Sequence, residues 1–149
     1  MTDSNQTPAP TGPANYLERQ GVRQYVARNA RGAEVLVGDG PGRFTPGDLI
    51  KIAIAGCNAM SSDKRMADRL GEDFEQFIGV SAGYDEAEDR FTSFEVELVQ
   101  DLSGLSEQET ADLLRRANGA IERNCTIGHT FAHAVPYTKT FTSEEVGED

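Results

Sequence analysis

Basic residues are scarce in this chain: 14 lysines and arginines stand against 25 aspartates and glutamates, a net charge of −11 at pH 7. Such a surface repels phosphate backbones and anionic lipid heads, so neither nucleic acid nor a membrane surface is expected as a partner. Long apolar runs are missing as well; none approaches the roughly 18 residues of a membrane span. Residues 1–13 are polar and proline-rich and lack the apolar stretch of a secretory signal, so a cytoplasmic location is expected. The glycines of residues 38–42 are followed by no Lys-Ser or Lys-Thr pair, which removes a phosphate-binding loop. Cysteine is nearly absent; only Cys57 and Cys125 are present. In a reducing compartment such a pair is read as catalytic, redox-sensing or metal-binding before it is read as a structural staple.

What remains suits one domain of ordinary size, with 149 residues of which 38% are hydrophobic. The core this allows is modest, and pairing with a second copy is expected. Residues 1–14 read as a disordered tail, 15–142 as the folded domain and 143–149 as an acidic tail. Strand-like runs over 15–22, 23–28 and 33–37 surround a turn at Asn29-Ala-Arg-Gly32. Thr45, Pro46 and Asp48 then form a helix start with a capping-box pattern. The stretch 49–60 is apolar on nearly all sides, which predicts a buried helix, closed by Gly71. A helix over 46–70 would be about 37 Å long, more than the radius of such a domain, so one end is expected against a partner subunit. Alternation over 76–84 and 91–99 predicts a hairpin, Ser106 and Glu109 cap a second helix, and 135–141 alternates as an edge strand carrying Pro136. The fold class is α+β with antiparallel sheet.

Cys57 stands twelve residues beyond the Thr45 cap, too far for the helix dipole to lower its pKa, and apolar surroundings would raise it. An active Cys57 would therefore need a cation from elsewhere, with Arg28, Arg31 and Arg43 as candidates. Cys125, after Asn124, opens a short helix running to Phe131, where the helix terminus would favour a thiolate on Cys125 itself. Packing both thiols as small hydrophobes in the core is the simpler reading. A metal set of Cys57, Cys125, His129 and His133 has the right donor types, but Gly128 and Pro136 break the helix it would need.

The run Thr45-Pro-Gly-Asp-Leu-Ile-Lys-Ile-Ala-Ile-Ala-Gly-Cys57 resembles the signature of the OsmC/Ohr family, in which a Pro-acidic-Leu helix start leads to the first cysteine. Cys125 follows 68 residues later, after a hairpin and a helix, in the family's order. The resemblance spans about residues 16–141 and points to a divergent OsmC-like branch. It implies an OsmC-like fold of antiparallel sheets around a long central buried helix and a second helix, in an intertwined homodimer. It implies reduction of organic hydroperoxides, with Cys57 attacking the O–O bond and Cys125 resolving the sulfenic acid as a disulfide. An external dithiol or lipoyl-type reductant would reopen that disulfide, with no bound cofactor and no metal. Arg28 or Arg31 would hold the thiolate, with Asp48 as the nearby carboxylate, and Ile54, Met60 and Phe131 would line an apolar substrate pocket. Peroxidase members carry a glutamate ten residues before the first cysteine; here that position is Gly47. The alternative reading is a non-enzymatic OsmC-like dimer that binds a small apolar ligand or serves as a redox switch.

Overall fold

Asn29 folds the chain back on itself: its side-chain oxygen accepts the N–H groups of Arg31 and Ala33, each at 3.0 Å, and Gly32 takes the positive φ of 87° that the turn requires. This turn opens the computed structural model of the protein, which describes residues 14–133, 135, 136, 138 and 139. The chain divides into two compact units. One takes the chain to Ala55 together with Gly79–Glu97; the other takes Gly56–Ile78 and the chain from Leu98 onward.

In the first unit β1 (Asn15–Gly21), β2 (Gln24–Asn29) and β3 (Glu34–Gly38) form an antiparallel sheet in the order β1-β2-β3. Val26 and Val37 turn inward and are 4% and 5% exposed. Gly38 ends β3 at φ 130°, where a Cβ would lie 2.0 Å from the Arg23 carbonyl oxygen, so no side chain fits. The loop after it returns to the sheet through Phe44, whose N–H donates to Leu36 O at 2.9 Å.

There α1 (Pro46–Leu70) begins. The Asp48 N–H donates to Thr45 Oγ1 at 3.0 Å, and the Thr45 N–H donates to Asp48 Oδ2 at 2.9 Å. This reciprocal cap satisfies two backbone donors, and the Thr45 N–H holds the Asp48 carboxyl below its usual range. Gly47, one residue into the helix, faces the ring of Phe91; a Cβ there would sit 3.2 Å from Phe91 Cζ. That ring stacks with Tyr84 and Phe94, at centroid distances of 5.8 and 5.4 Å, and lies under the Lys51 ammonium. The stretch expected to be buried on all sides is not so in the single chain: Ile54 and Ala55 are buried, but Ile50, Ile52 and Met60 are 36%, 45% and 82% exposed. Burial on every side needs a covering surface that one copy of the chain does not supply to these residues.

β4 (Gln76–Asp85) and β5 (Arg90–Gln100) pair as the expected hairpin. Its tip is tied by Asp85, whose carboxylate accepts the N–H groups of Ala87 and Glu88 at 2.9 and 3.1 Å.

The second unit holds the remainder of α1, α2 (Glu107–Asn124) and α3 (Thr126–Phe131). Its core joins Met66 of α1 to Leu113 and Ala117 of α2, with Leu70, Phe74, Leu102 and Leu105 packed around them. Gly71 stops α1 at φ 101°, its N–H on Ala67 O at 2.9 Å. Ser106 and Glu109 form the expected capping box, and Arg69 bridges to the Glu109 carboxylate at 2.5 Å, tying the end of α1 to the start of α2. Of the edge strand expected over 135–141, residues 137, 140 and 141 lie outside the described residues, and 135, 136, 138 and 139 belong to no strand. Of the two expected tails, 1–14 and 143–149, all but Ala14 also lies outside the described residues; Ala14 accepts the Ala30 N–H at 2.9 Å. No described helix is long and apolar enough to cross a membrane.

Candidate active site

α2 and α3 meet at a single residue. Cys125 caps the C-terminal end of α2, its N–H on Ile121 O at 2.9 Å, and at the same time caps α3 with its sulfur. The first N–H groups of any helix lack a partner within it. In α3 these include those of Thr126 and Ile127, and both act to lower the Cys57 thiol, while that of Gly128 donates to the Cys125 sulfur at 3.3 Å.

Cys57 is half-buried and carries a free thiol. Burial pushes that thiol up, yet four donors outweigh it: the Ile127 N–H, the Cys125 S–H, the Thr126 N–H and the Ser61 hydroxyl. The outcome is a thiol held below its ordinary pKa, with no cation among these leading groups. Ser61 reaches Cys57 because residues four apart on a helix are neighbours.

Cys125 is the opposite case. It is 2% exposed, and burial pushes its thiol up, as does the hydrogen bond it donates to Cys57. Two donors act the other way without prevailing: the Gly128 N–H at 3.3 Å and the Asn58 side-chain amide at 3.4 Å from its sulfur. The expectation that the start of α3 would favour a thiolate on Cys125 is thus corrected. The terminus is divided: the Gly128 N–H meets the Cys125 sulfur without offsetting its burial, while the Thr126 and Ile127 N–H groups lower the Cys57 thiol. The buried Ser62 hydroxyl donates to the main-chain carbonyl of Asn58 at 2.9 Å.

A family model described as OsmC-like protein matches residues 38–139. The chain belongs to the OsmC-like family. An uncharacterised protein of Mycobacterium tuberculosis is 46% identical over 117 residues, which cover 77% of this chain and 85% of that protein. Among solved structures, a putative osmotic stress induced and detoxification response protein of Psychrobacter arcticus superposes with a TM-score of 0.62 at 14% identity, over 83% of this chain and 91% of that one. An organic hydroperoxide resistance protein of Elizabethkingia anophelis does so with a TM-score of 0.50 at 20% identity, over 77% and 88%. These likenesses establish the α+β OsmC-like fold with its antiparallel sheets.

In this OsmC-like chain the residues singled out from sequence separate. Cys57 and Cys125 share a hydrogen bond. Arg28 is instead bound within its own sheet, to Glu18 at 2.6 Å and Glu34 at 2.7 Å. Glu34 is its direct cross-strand partner, so the strand register itself neutralises it. Arg43 spends its guanidinium on Tyr25 O and Gln20 Oε1, each at 3.0 Å. Arg31 is exposed in the Asn29 turn, and neither it nor Arg28 is among the groups that lower the Cys57 thiol. Asp48 is occupied as the cap of α1. Ile54 is closed off at 7% exposure, whereas Met60 and Phe131 stand 82% and 40% exposed. His129 and His133 turn ring nitrogens to the carbonyls of Glu122 and His129. Among the described residues no three His, Cys, Asp or Glu side chains gather as metal ligands would. Ser61, Asn58 and the backbone of Thr126 and Ile127 were not singled out from sequence; only Ser61 left a signal there, its spacing of four from Cys57.

Proposed function

We propose that this OsmC-like protein is a thiol peroxidase that reduces organic hydroperoxides at Cys57 and recycles through Cys125. The observation that carries the reading is the asymmetry of the thiol pair: Cys57 is held low and accepts the hydrogen bond, while Cys125 is held high and donates it. A thiolate is the competent nucleophile, and the neighbour that keeps its proton is the resolver.

The Cys57 thiolate attacks one oxygen of the O–O bond. An S–O bond forms, the O–O bond breaks, and the alkoxide leaves and takes a proton from water as the alcohol. Cys125 then attacks the sulfenic sulfur; the S–S bond forms, the S–O bond breaks, and the hydroxide departs as water with the Cys125 proton. Capture by a second thiol protects the sulfenic acid from irreversible over-oxidation. An external dithiol, of lipoyl or related type, returns both cysteines to thiols. Stabilisation of the thiolate is assigned here to the Thr126, Ile127, Cys125 and Ser61 donors rather than to Arg28 or Arg31.

One equivalent of cumene hydroperoxide is expected to consume both thiols and lower the intact mass by two hydrogens. A full thiol titre after that treatment rejects the reading. It would favour the alternative, a non-enzymatic dimer that binds an apolar ligand, which draws on the absence of a glutamate at Gly47. The exposed Met60 and Phe131 supply apolar surface for the alkyl part of a hydroperoxide, and a second copy of the chain is the proposed cover. Light scattering is expected to return twice the 16.2 kDa mass of the chain; a monomer at micromolar concentration contradicts that assembly.

A further inference from the structure

Reopening a Cys57–Cys125 disulfide sets two influences against each other. Thiol exchange runs faster when the better-stabilised thiolate departs, which favours attack on Cys125 and release of Cys57. Access favours the reverse: Cys125 is 2% exposed, while Cys57 is half-buried. A sulfur that the reductant cannot reach is not attacked, whatever its leaving group. The dithiol therefore meets Cys57, and the group that must leave is Cys125, inside the protein and away from water.

We propose that Asn58 is a catalytic residue of this reductive step, its side-chain amide donating to the Cys125 sulfur and holding the departing thiolate together with the Gly128 N–H. The distances are 3.4 Å from Asn58 and 3.3 Å from Gly128, within the range of hydrogen bonds to sulfur. Buried charge is tolerated only where donors meet it, and these two supply the solvation that water cannot. Asn58 is placed for the task, since it follows Cys57 on α1 and its amide reaches the Cys125 sulfur at the junction of α2 and α3. The incoming thiolate forms a bond to Cys57 Sγ, the Cys57–Cys125 bond breaks, and its electron pair goes to Cys125 Sγ. The second thiol of the reductant then displaces Cys57 as thiolate and closes the reductant's own disulfide.

The inference rests on the cysteine pair of the proposed peroxidase, but its test needs no hydroperoxide. The disulfide is made with diamide in the full chain and confirmed by intact mass. It is then trapped with 2-mercaptoethanol for peptide mapping, or reduced with dithiothreitol in stopped flow. The mixed disulfide is expected on Cys57. In Asn58→Ala and Asn58→Asp, the ratio of the reduction rate to the Cys57 alkylation rate is expected to fall about tenfold, the loss of one hydrogen bond to a charged group. Referring reduction to Cys57 alkylation in the same variant removes any general disturbance of α1. An adduct on Cys125, an unchanged ratio in both variants, or a wild-type chain in which diamide forms no internal disulfide would each overturn the proposal. A chain that ignores hydroperoxide yet meets these expectations refutes the peroxidase reading and leaves this one standing.

Discussion

Replacing Cys57 with serine is expected to end hydroperoxide consumption, with a fall of at least about a thousandfold in kcat/KM, because an alcohol at neutral pH offers no thiolate. Cys125→Ser should behave differently. It keeps a hydroxyl where the Cys125 S–H donates to Cys57, so the first oxidation proceeds. The cycle then halts at the sulfenic acid, which excess peroxide drives to sulfinic acid. Cys125→Ala removes the donor as well as the resolver, so its first oxidation should be slower than that of Cys125→Ser. Stopped-flow peroxide consumption with mass analysis of Cys57 separates the three variants. A Cys57→Ser protein that still turns over would place the chemistry elsewhere, and over-oxidation absent from both Cys125 variants would deny its resolving role.

The second large effect comes from deleting a backbone donor. Thr126 is the first residue of α3, the position where proline is best accepted, because its N–H has no partner in the helix. The preceding residue must avoid the helical region before a proline. Cys125 already does, at φ −81° and ψ 92°. Thr126→Pro should therefore fold while removing one of the N–H groups that hold the Cys57 thiol low. The sign follows directly. Stabilisation of the charged form depresses the pKa, so losing a donor raises it, and the thiolate fraction falls at every pH below the new value. One pKa unit, a reasonable size for one charge-assisted hydrogen bond, would cut neutral-pH reactivity about tenfold. The pH profile of iodoacetamide alkylation in a Cys125→Ser background reads this as a midpoint moved upward, with rates converging at high pH. An unmoved midpoint would mean that the Thr126 N–H does not act on the sulfur.

Most of the fold was legible because its signals are short in range. Thr45 with Asp48 and Ser106 with Glu109 are reciprocal caps only three residues apart, and both formed where the sequence placed them. The full extent of α1, from Pro46 to the stop at Gly71, could be read the same way. The two cysteines were legible by type. What surrounds them was not, since the donors of Thr126 and Ile127 are main-chain groups common to every residue, and nothing in their side chains advertises the direction they take. Asn58 adjoins Cys57 in sequence but serves Cys125, a pairing set by how α1 meets α3. Arg28 misled for a related reason. A basic residue in an early strand looks available until the register puts Glu34 across from it and Glu18 two pairs away. The run of apolar residues in α1 announced burial, but an apolar run does not say how much of a helix is covered, and Ile50, Ile52 and Met60 are open.

The contact between Gly47 and Phe91 bears on what position 47 can hold. Even a methyl group at position 47 comes within 3.2 Å of the ring, and that ring is pinned between Tyr84 and Phe94. A side chain there needs the ring to give by a few tenths of an ångström, whereas shrinking Phe91 empties space beside Tyr84 and Phe94. The two positions are thus coupled: how far the Phe91 ring can give sets the cost of any side chain at 47, so the stability change of Gly47→Ala is expected to differ between a Phe91 and a Phe91→Ala background.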